Sequence, residues 1–298
     1  MMMDSINRFR VVTAVLGIWI SSTSCSSLKS SSLSEDKDAK TSFYQNEIKP
    51  LSSKPCFEGA YYRKVVSSED VWRGINGRVV LPELQFDKNR INPKKPEQYL
   101  DNPSVYLGGS MGGQETDIGL SWEIIKDEKG VVSSQRKAFR PFLRRTGHAS
   151  GQEAVFVNAP AISQYYWYPG EEVYMSVKII ADGKLRFVIE GAGKRFEQDF
   201  DCDGYSLKGH AEFKRVNAID QVANEGKPAQ ASGTRILNSQ WKATNLYRDF
   251  GGEIREVPFH SGRYTSMACP AKSNFQLTAS VKELAIGAEN ISISGNGF

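Results

Sequence analysis

Histidine is nearly absent. His148, His210 and His260 are the three histidines in 298 residues. They lie far apart without metal-ligand spacing, so a histidine-built metal site is not expected. Cysteine is almost as scarce, with four residues, too few for a disulfide-built scaffold. No C-x-x-C occurs and no histidine lies near a cysteine in sequence, which argues against a thiolate zinc site or a catalytic thiol. No metal and no cofactor is therefore expected. Neither sign of charge dominates: 38 Lys+Arg face 34 Asp+Glu, for a net charge of +4. That surplus is too small to argue for a nucleic-acid partner. No apolar run approaches the about 20 residues needed to span a bilayer. No stretch of ten or more residues carries helical 3.6 periodicity, and only 218–225 suggests a single helical turn. Hydrophobic residues at 40% and charged residues at 24% exclude a wholly disordered chain and a multi-span membrane protein.

The N-terminus reads as an address. Arg8 and Arg10 precede an apolar run at 11–20 (VVTAVLGIWI), the size of a signal-peptide core. Small residues then end at Cys25, in a pattern similar to a bacterial lipoprotein lipobox. That resemblance implies that residues 1–24 are a signal peptide and that Cys25 becomes the lipidated first residue. Each buried CH₂ of its acyl chains, such as palmitate, would contribute about 0.8 kcal/mol to membrane anchoring. The partner would be the membrane and the location the bacterial cell envelope. Residues 25–51 are serine-rich and then charged, a composition that cannot order itself, so they read as a spacer. Export places Cys56, Cys202 and Cys269 in an oxidising compartment. One bridge plus one buried thiol is the expectation. A Cys56–Cys269 pair would join the two ends of the domain, although sequence leaves connectivity open.

From residue 52 to 298 the pattern is period two, consistent with one domain. Val173, Met175, Val177 and Ile179 alternate with Tyr174, Ser176 and Lys178, and Asp182-Gly183 then separates a second strand-like run. Further strand-like runs fall at 60–66, 78–86, 104–107, 117–125, 154–157, 163–168, 211–216, 234–237, 241–247, 275–284 and 290–294. The 88–103 stretch, rich in Asn and Pro, reads as a long surface loop. Many short strands without helices argue for an all-β sandwich or barrel.

Several segments could carry chemistry. Gly108-Gly109-Ser110-Met111-Gly112 matches a nucleophile elbow, but no helix pattern follows, and a glycine-rich loop is the better reading. The basic segment 136–145, with Arg140, Phe142, Arg144 and Arg145, reads as a solvated edge whose long side chains lie over aromatic neighbours. Alternation places Tyr166 and Tyr168 on one face and Tyr165 and Trp167 on the other; one pair is expected in the core, and the other either stacks on sugars or peptide side chains or serves core filling alone. Glu115 and Asp117 share a strand face beside Gln114 and Glu123, a placement suited to acid–base work, to calcium, or merely to a solvated strand edge.

The order of these pieces resembles the glutamic peptidases (eqolisins). The residues that carry the resemblance are Val105-Tyr106-Leu107-Gly108-Gly109 leading to a glutamine, then Ile118-Gly119-Leu120, the aromatic-Pro stretch 165–169, and Ala211-Glu212-Phe213. The resemblance implies a double-sheet antiparallel β-sandwich of the concanavalin-like jelly-roll type. It also implies Glu212 as general base on water and Gln114 as donor to the tetrahedral oxyanion. Three functions follow as expectations. The first is an envelope lipoprotein whose sandwich binds an extended glycan or peptide without catalysis, through Gln114, Glu115, Asp117, Tyr166, Tyr168 and Glu212. The second is an acid-active glutamic endopeptidase. The third is a structural envelope protein without a ligand.

Overall fold

A computed structural model describes residues 43–49, 56–123 and 138–298. The export signal, Cys25 and most of the expected spacer lie outside the described residues. In chain order the strands are β1 (Ala60–Ser67), β2 (Trp72–Val80), β3 (Glu83–Gln85), β4 (Ile91–Asn92), β5 (Lys95–Tyr99), β6 (Asp101–Met111), β7 (Gln114–Glu123), β8 (Ala138–Arg145) and β9 (Val155–Asn158). They continue as β10 (Glu172–Ala181), β11 (Lys184–Gly191), β12 (Lys194–Asp201), β13 (Ala211–Gln221), β14 (Arg235–Asp249), β15 (Ile254–Pro258), β16 (Tyr264–Cys269), β17 (Phe275–Thr278) and β18 (Glu289–Ser294). One short helix, α1 (Val281–Ala285), is closed by a capping box between Ser280 and Glu283. No helix among the described residues is long and apolar enough to cross a membrane.

The strands form an antiparallel double-sheet sandwich. The seven-stranded sheet runs β16-β1-β13-β6-β7-β8-β9. The nine-stranded sheet runs β12-β11-β10-β2-β14-β18-β17, with β15 and β3 also paired to β14. Alternation decides which side chains fill the space between them. On β10, Val173, Met175, Val177 and Ile179 are buried and face Trp72, Leu107, Ile118, Phe139 and Phe213 in one shared core. Asp182-Gly183 is the two-residue loop of the β10–β11 hairpin, with Gly183 at φ +71. Gly112 and Gly113, at φ +55 and +77, make the same kind of turn between β6 and β7.

The core also holds charge. Glu289 on β18 accepts from Arg63 on β1 at 2.7 Å and from Arg215 on β13 at 2.8 Å, tying the two sheets through buried groups. Cys56 and Cys269 form a disulfide that pins the approach to β1 onto the end of β16. Cys202 is a buried free thiol.

The structure departs from the sequence expectations at several places. Residues 43–49 pack on the sandwich, although a spacer was expected to reach residue 51. The Glu47 carboxylate is buried against the Arg263 guanidinium, accepts from Ser68 Oγ at 2.6 Å, and its neighbour Ile48 bridges to Glu69. The 88–103 stretch holds a small β4–β5 hairpin and the start of β6 rather than a bare loop. Residues 163–168 are a 3₁₀ turn (Ser163–Tyr165) and one isolated bridge from Trp167 to Phe139, because the chain crosses the sandwich there instead of extending a sheet. Strand β17 ends at Thr278 and α1 follows, so the run expected at 275–284 is not one strand. Residues 218–221 complete β13 rather than a helical turn, since Ala218 and Ile219 are buried in its ladder.

Candidate functional site

The outer face of the seven-stranded sheet, turned away from the sandwich core, carries a set of buried and half-buried charged side chains. Strand register builds it in rows, because directly paired residues share a face. Nearest the β6–β7 turn, Glu212 pairs with Ser110 and Ser110 with Glu115. The next row is Val66, Lys214, Gly108, Asp117, Arg144 and Phe156, one residue from each of six adjacent strands. The row below holds Lys64, Val216, Tyr106, Gly119 and Phe142.

Two glycines let long side chains lie flat across this face. Gly108 stands between Lys214 and Asp117, and an added Cβ there would sit 2.0 Å from Thr116 O and 3.0 Å from Lys214 Cε. Lys214 therefore crosses its neighbouring strand and reaches Asp117 Oδ1 at 2.6 Å, and it also pairs with Glu115. Arg144 approaches Asp117 from the other side, donating to Oδ2 at 2.7 Å. One row down, a Cβ on Gly119 would lie 2.5 Å from Tyr106 Cα, and the Tyr106 and Phe142 rings meet across it edge-on at 5.7 Å. Lys214, Tyr106 and Phe142 are all buried. Above them, a small open depression is lined by Lys64, Val66, Gly109, Ser110, Glu115, Glu212 and Lys214.

The electrostatics fix these charges. Burial acts to raise the Asp117 carboxyl, but Lys214 and Arg144 outweigh it and hold it below its ordinary value. Burial pulls the Lys214 ammonium down, but Asp117 and Glu115 push it above its ordinary value. Neither group is a base poised near neutrality. Tyr106 is driven well above its ordinary value by burial, with Asp117, Asp220 and Glu115 adding to the effect. Asp220 is the exception on this face. Burial pushes its carboxyl up to about 6 against the opposing hydrogen bond from Ser104 Oγ at 2.9 Å.

The expected residues do not all converge. Gln114 pairs with Met111, and Met111 with Ala211, both buried in the core between the sheets. Gln114 therefore points inward, while Glu212, one residue from Ala211, points outward. The peptidase pairing of Gln114 with Glu212 is not formed, because the sheet lies between the two side chains. Gln114 is fully buried and fully used. Its amide donates to Thr146 O at 2.9 Å and Gln152 Oε1 at 2.8 Å, and its carbonyl oxygen accepts from Gly204 N at 3.0 Å and Cys202 Sγ at 3.1 Å. For the same reason Gln114 is not a ligand-binding residue of the outer face.

Glu115, Asp117 and Glu212 do lie together on that face. Tyr166 and Tyr168 do not join them. They pack beside Ala138, which pairs with Glu123, six residues along β7 from Asp117 and roughly 20 Å away at the strand rise. Tyr166 is buried, and the Lys194 ammonium stands 5.0 Å over the Tyr168 ring. Ser110 sits on β6 with a hairpin after it and no helix, so no nucleophile elbow is present. Among the described residues no group of three or more His, Cys, Asp or Glu side chains is placed to hold a metal ion. Lys214 and Asp220 were not singled out from sequence, and Arg144 was read only as part of a solvated basic edge. Lys214 was within reach, since it falls two residues from Glu212 and so on the same strand face.

No family model matches the chain, and no curated protein sequence matches it. Similar solved structures include Scytalido-glutamic peptidase bound to a peptide-based transition-state analogue, at 10% identity and a TM-score of 0.44, covering 79% of this chain and 98% of that one. They also include SCP-B, an eqolisin-family peptidase in complex with the tripeptide Ala-Ile-His, at 10% identity and a TM-score of 0.41, covering 79% and 98%. A third is a GH16 protein of the Bacteroides ovatus mixed-linkage glucan locus, at 13% identity and a TM-score of 0.32, covering 62% and 81%. At these identities and scores the likenesses carry no argument about the site, which stands on its own geometry.

Proposed function

We propose that the outer face of the seven-stranded sheet binds an extended ligand and performs no chemistry on it. The observation that carries this reading is the Lys214 side chain laid across Gly108 between Glu115 and Asp117, with Arg144 beyond, under the open pocket lined by Ser110 and Glu212. Such a floor offers fixed charges of both signs and a rigid geometry, which suits recognition more than proton transfer. A peptide fits it better than a glycan. Tyr106 and Phe142 are spent on packing against each other, so the floor offers no broad aromatic platform for a sugar ring. The N-terminal residues support a setting for this activity: export by residues 1–24 and a lipid on Cys25 would hold the domain at a membrane of the cell envelope.

The test is to screen a peptide library and a glycan array with wild type and with Ser110→Arg, an exposed change that fills the pocket mouth without entering the core. Binding by wild type that Ser110→Arg abolishes supports the reading. Blank screens with both proteins would leave the structural role, and cleavage of an unfolded protein at pH 3–5 by wild type would restore an enzyme.

A further inference from the structure

We propose that the free edge of β9 docks an extended segment of a partner polypeptide, which adds to the seven-stranded sheet as a further strand. This goes beyond the pocket reading, since it uses a sheet edge rather than the sheet face.

β9 ends the seven-stranded sheet and pairs only with β8 among the described residues. Its hydrogen-bond parity is set by Ala159 N, which donates to Pro141 O at 2.9 Å. Alternate residues of an antiparallel strand turn their N–H and C=O to the same side. Val157 and Val155 therefore bond to β8, while Phe156 and Asn158 direct their backbone N–H and C=O away from the sheet. Two of the four side chains at this edge are apolar and exposed. Phe156 is 61% exposed and Val157 40% exposed, one on each face of the sheet. One side of the Phe156 ring is stacked on Phe142, with centroids 6.1 Å apart, which holds it in place.

Edges of this kind are usually guarded by charge, by proline or by a covering segment. The edge of the other sheet shows the contrast. β12 carries Lys194, Arg195, Glu197, Asp199 and Asp201, and its arginine forms ion pairs with Glu190 and Glu197. β9 reads Val-Phe-Val-Asn and, among the described residues, has no such guard.

The occupant follows from the spacing of the free groups. Two donors and two acceptors repeating every second residue match an extended polypeptide backbone, and sugar hydroxyls and lipid headgroups have no such repeat. A second copy of the chain is a poorer fit, because a stable dimer buries at least about 1,200 Å² in total and a four-residue edge supplies far less. The partner segment would set an apolar side chain beside Phe156, and backbone bonding would supply affinity with little dependence on the rest of its sequence.

The probe is an end-blocked heptapeptide, Thr-Val-Thr-Phe-Thr-Val-Thr, followed by fluorescence anisotropy against the folded domain. Two further peptides carry N-methyl groups on the amides of one edge or of the other. Binding below about 1 mM that survives one N-methyl pattern and is lost with the other is expected, as is a roughly tenfold or greater loss in Phe156→Lys. Asn158→Pro, which removes an outward N–H and leaves the bonds to β8 in place, should weaken binding similarly. Ser110→Arg should leave it unchanged, which separates this edge from the pocket. No binding at millimolar peptide overturns the proposal. So does equal sensitivity to both methylation patterns, or a dimer in sedimentation that Phe156→Lys dissociates.

Discussion

Replacing Lys214 with methionine keeps the length of the side chain across Gly108 and removes its charge. Asp117, whose side chain is 11% exposed, would then face burial with Arg144 as its remaining counter-ion, and Arg144 is 44% exposed. Leaving one partner of a buried ion pair uncompensated costs about 3 kcal/mol or more. The solvent-exposed share of Arg144 argues for the lower end of that range. For a domain of this size about 3 kcal/mol corresponds to a fall of roughly 6–12 °C in Tm. The pH dependence gives a sharper test than the size. In wild type Asp117 is held below its ordinary value, so it contributes stability above the unfolded carboxylate range and loses it as pH falls through its lowered folded value. In Lys214→Met burial should dominate and lift that carboxyl, reversing the sign of its contribution. The deficit of the variant should therefore be full at pH 7 and shrink as pH falls through the variant's raised carboxyl value and on toward the lowered value of wild type. Urea melts of both proteins from pH 3 to 7 would measure it. A deficit under about 0.5 kcal/mol at pH 7, or one that does not change with pH, would mean the lysine is an ordinary solvated charge and the argument is wrong.

Three further outcomes are expected. The Cys202 thiol, pushed up to about 12 by burial, should resist iodoacetamide at pH 8 in the native protein and react in urea, as read by peptide mass mapping; rapid native labelling would refute its place behind Gln114. Cys269→Ser should cost about 2–5 kcal/mol by opening the Cys56–Cys269 closure, seen as a lower urea midpoint that reducing agent reproduces in wild type. Asp220, raised to about 6, favours the protonated folded state, so its contribution is present below the unfolded carboxylate range and is lost as pH rises through about 6; Asp220→Asn should flatten that slope, and an unchanged slope would refute it.

The sandwich was legible because each of its strands has one face on the core, which writes period two into the sequence. β10 and β11 show it most cleanly, and Asp182-Gly183 marks their hairpin without ambiguity. The crossing at 163–168 was not legible, since an aromatic run has the composition of a strand whether or not it pairs. The site was legible in part for a related reason. Glu115 and Asp117 alternate with Gln114, so strand parity alone already separates the glutamine from the two acids. Grouping the three by nearness along the chain ignored that parity. The placement of Glu212 depends on which residue of β6 it meets, and a shift of one residue in that register would turn it to the core. The burial of Ala211 and Phe213 on the inner side holds this register, because alternation then turns Glu212 outward.

Burial on the outer face has an explanation in those same rows. Lys214 leans from β13 over Gly108 of β6 to Asp117 of β7, and Tyr106 leans from β6 over Gly119 of β7 to Phe142 of β8. Each long side chain uses the gap left by a glycine on the next strand, and both lean toward β9. The face thus covers part of itself with side chains laid flat, and its charges are held in place by strands that the core already fixes. Rotating any of them out to meet a ligand would expose apolar stem and break an ion pair, so the floor is pre-organised rather than adaptable. The exposed side chains are at its two ends, Ser110 by the hairpin and Phe156 at the edge strand. Recognition that depended on the floor alone would therefore tolerate little change in ligand charge, whereas recognition at the ends would tolerate changes in side-chain shape.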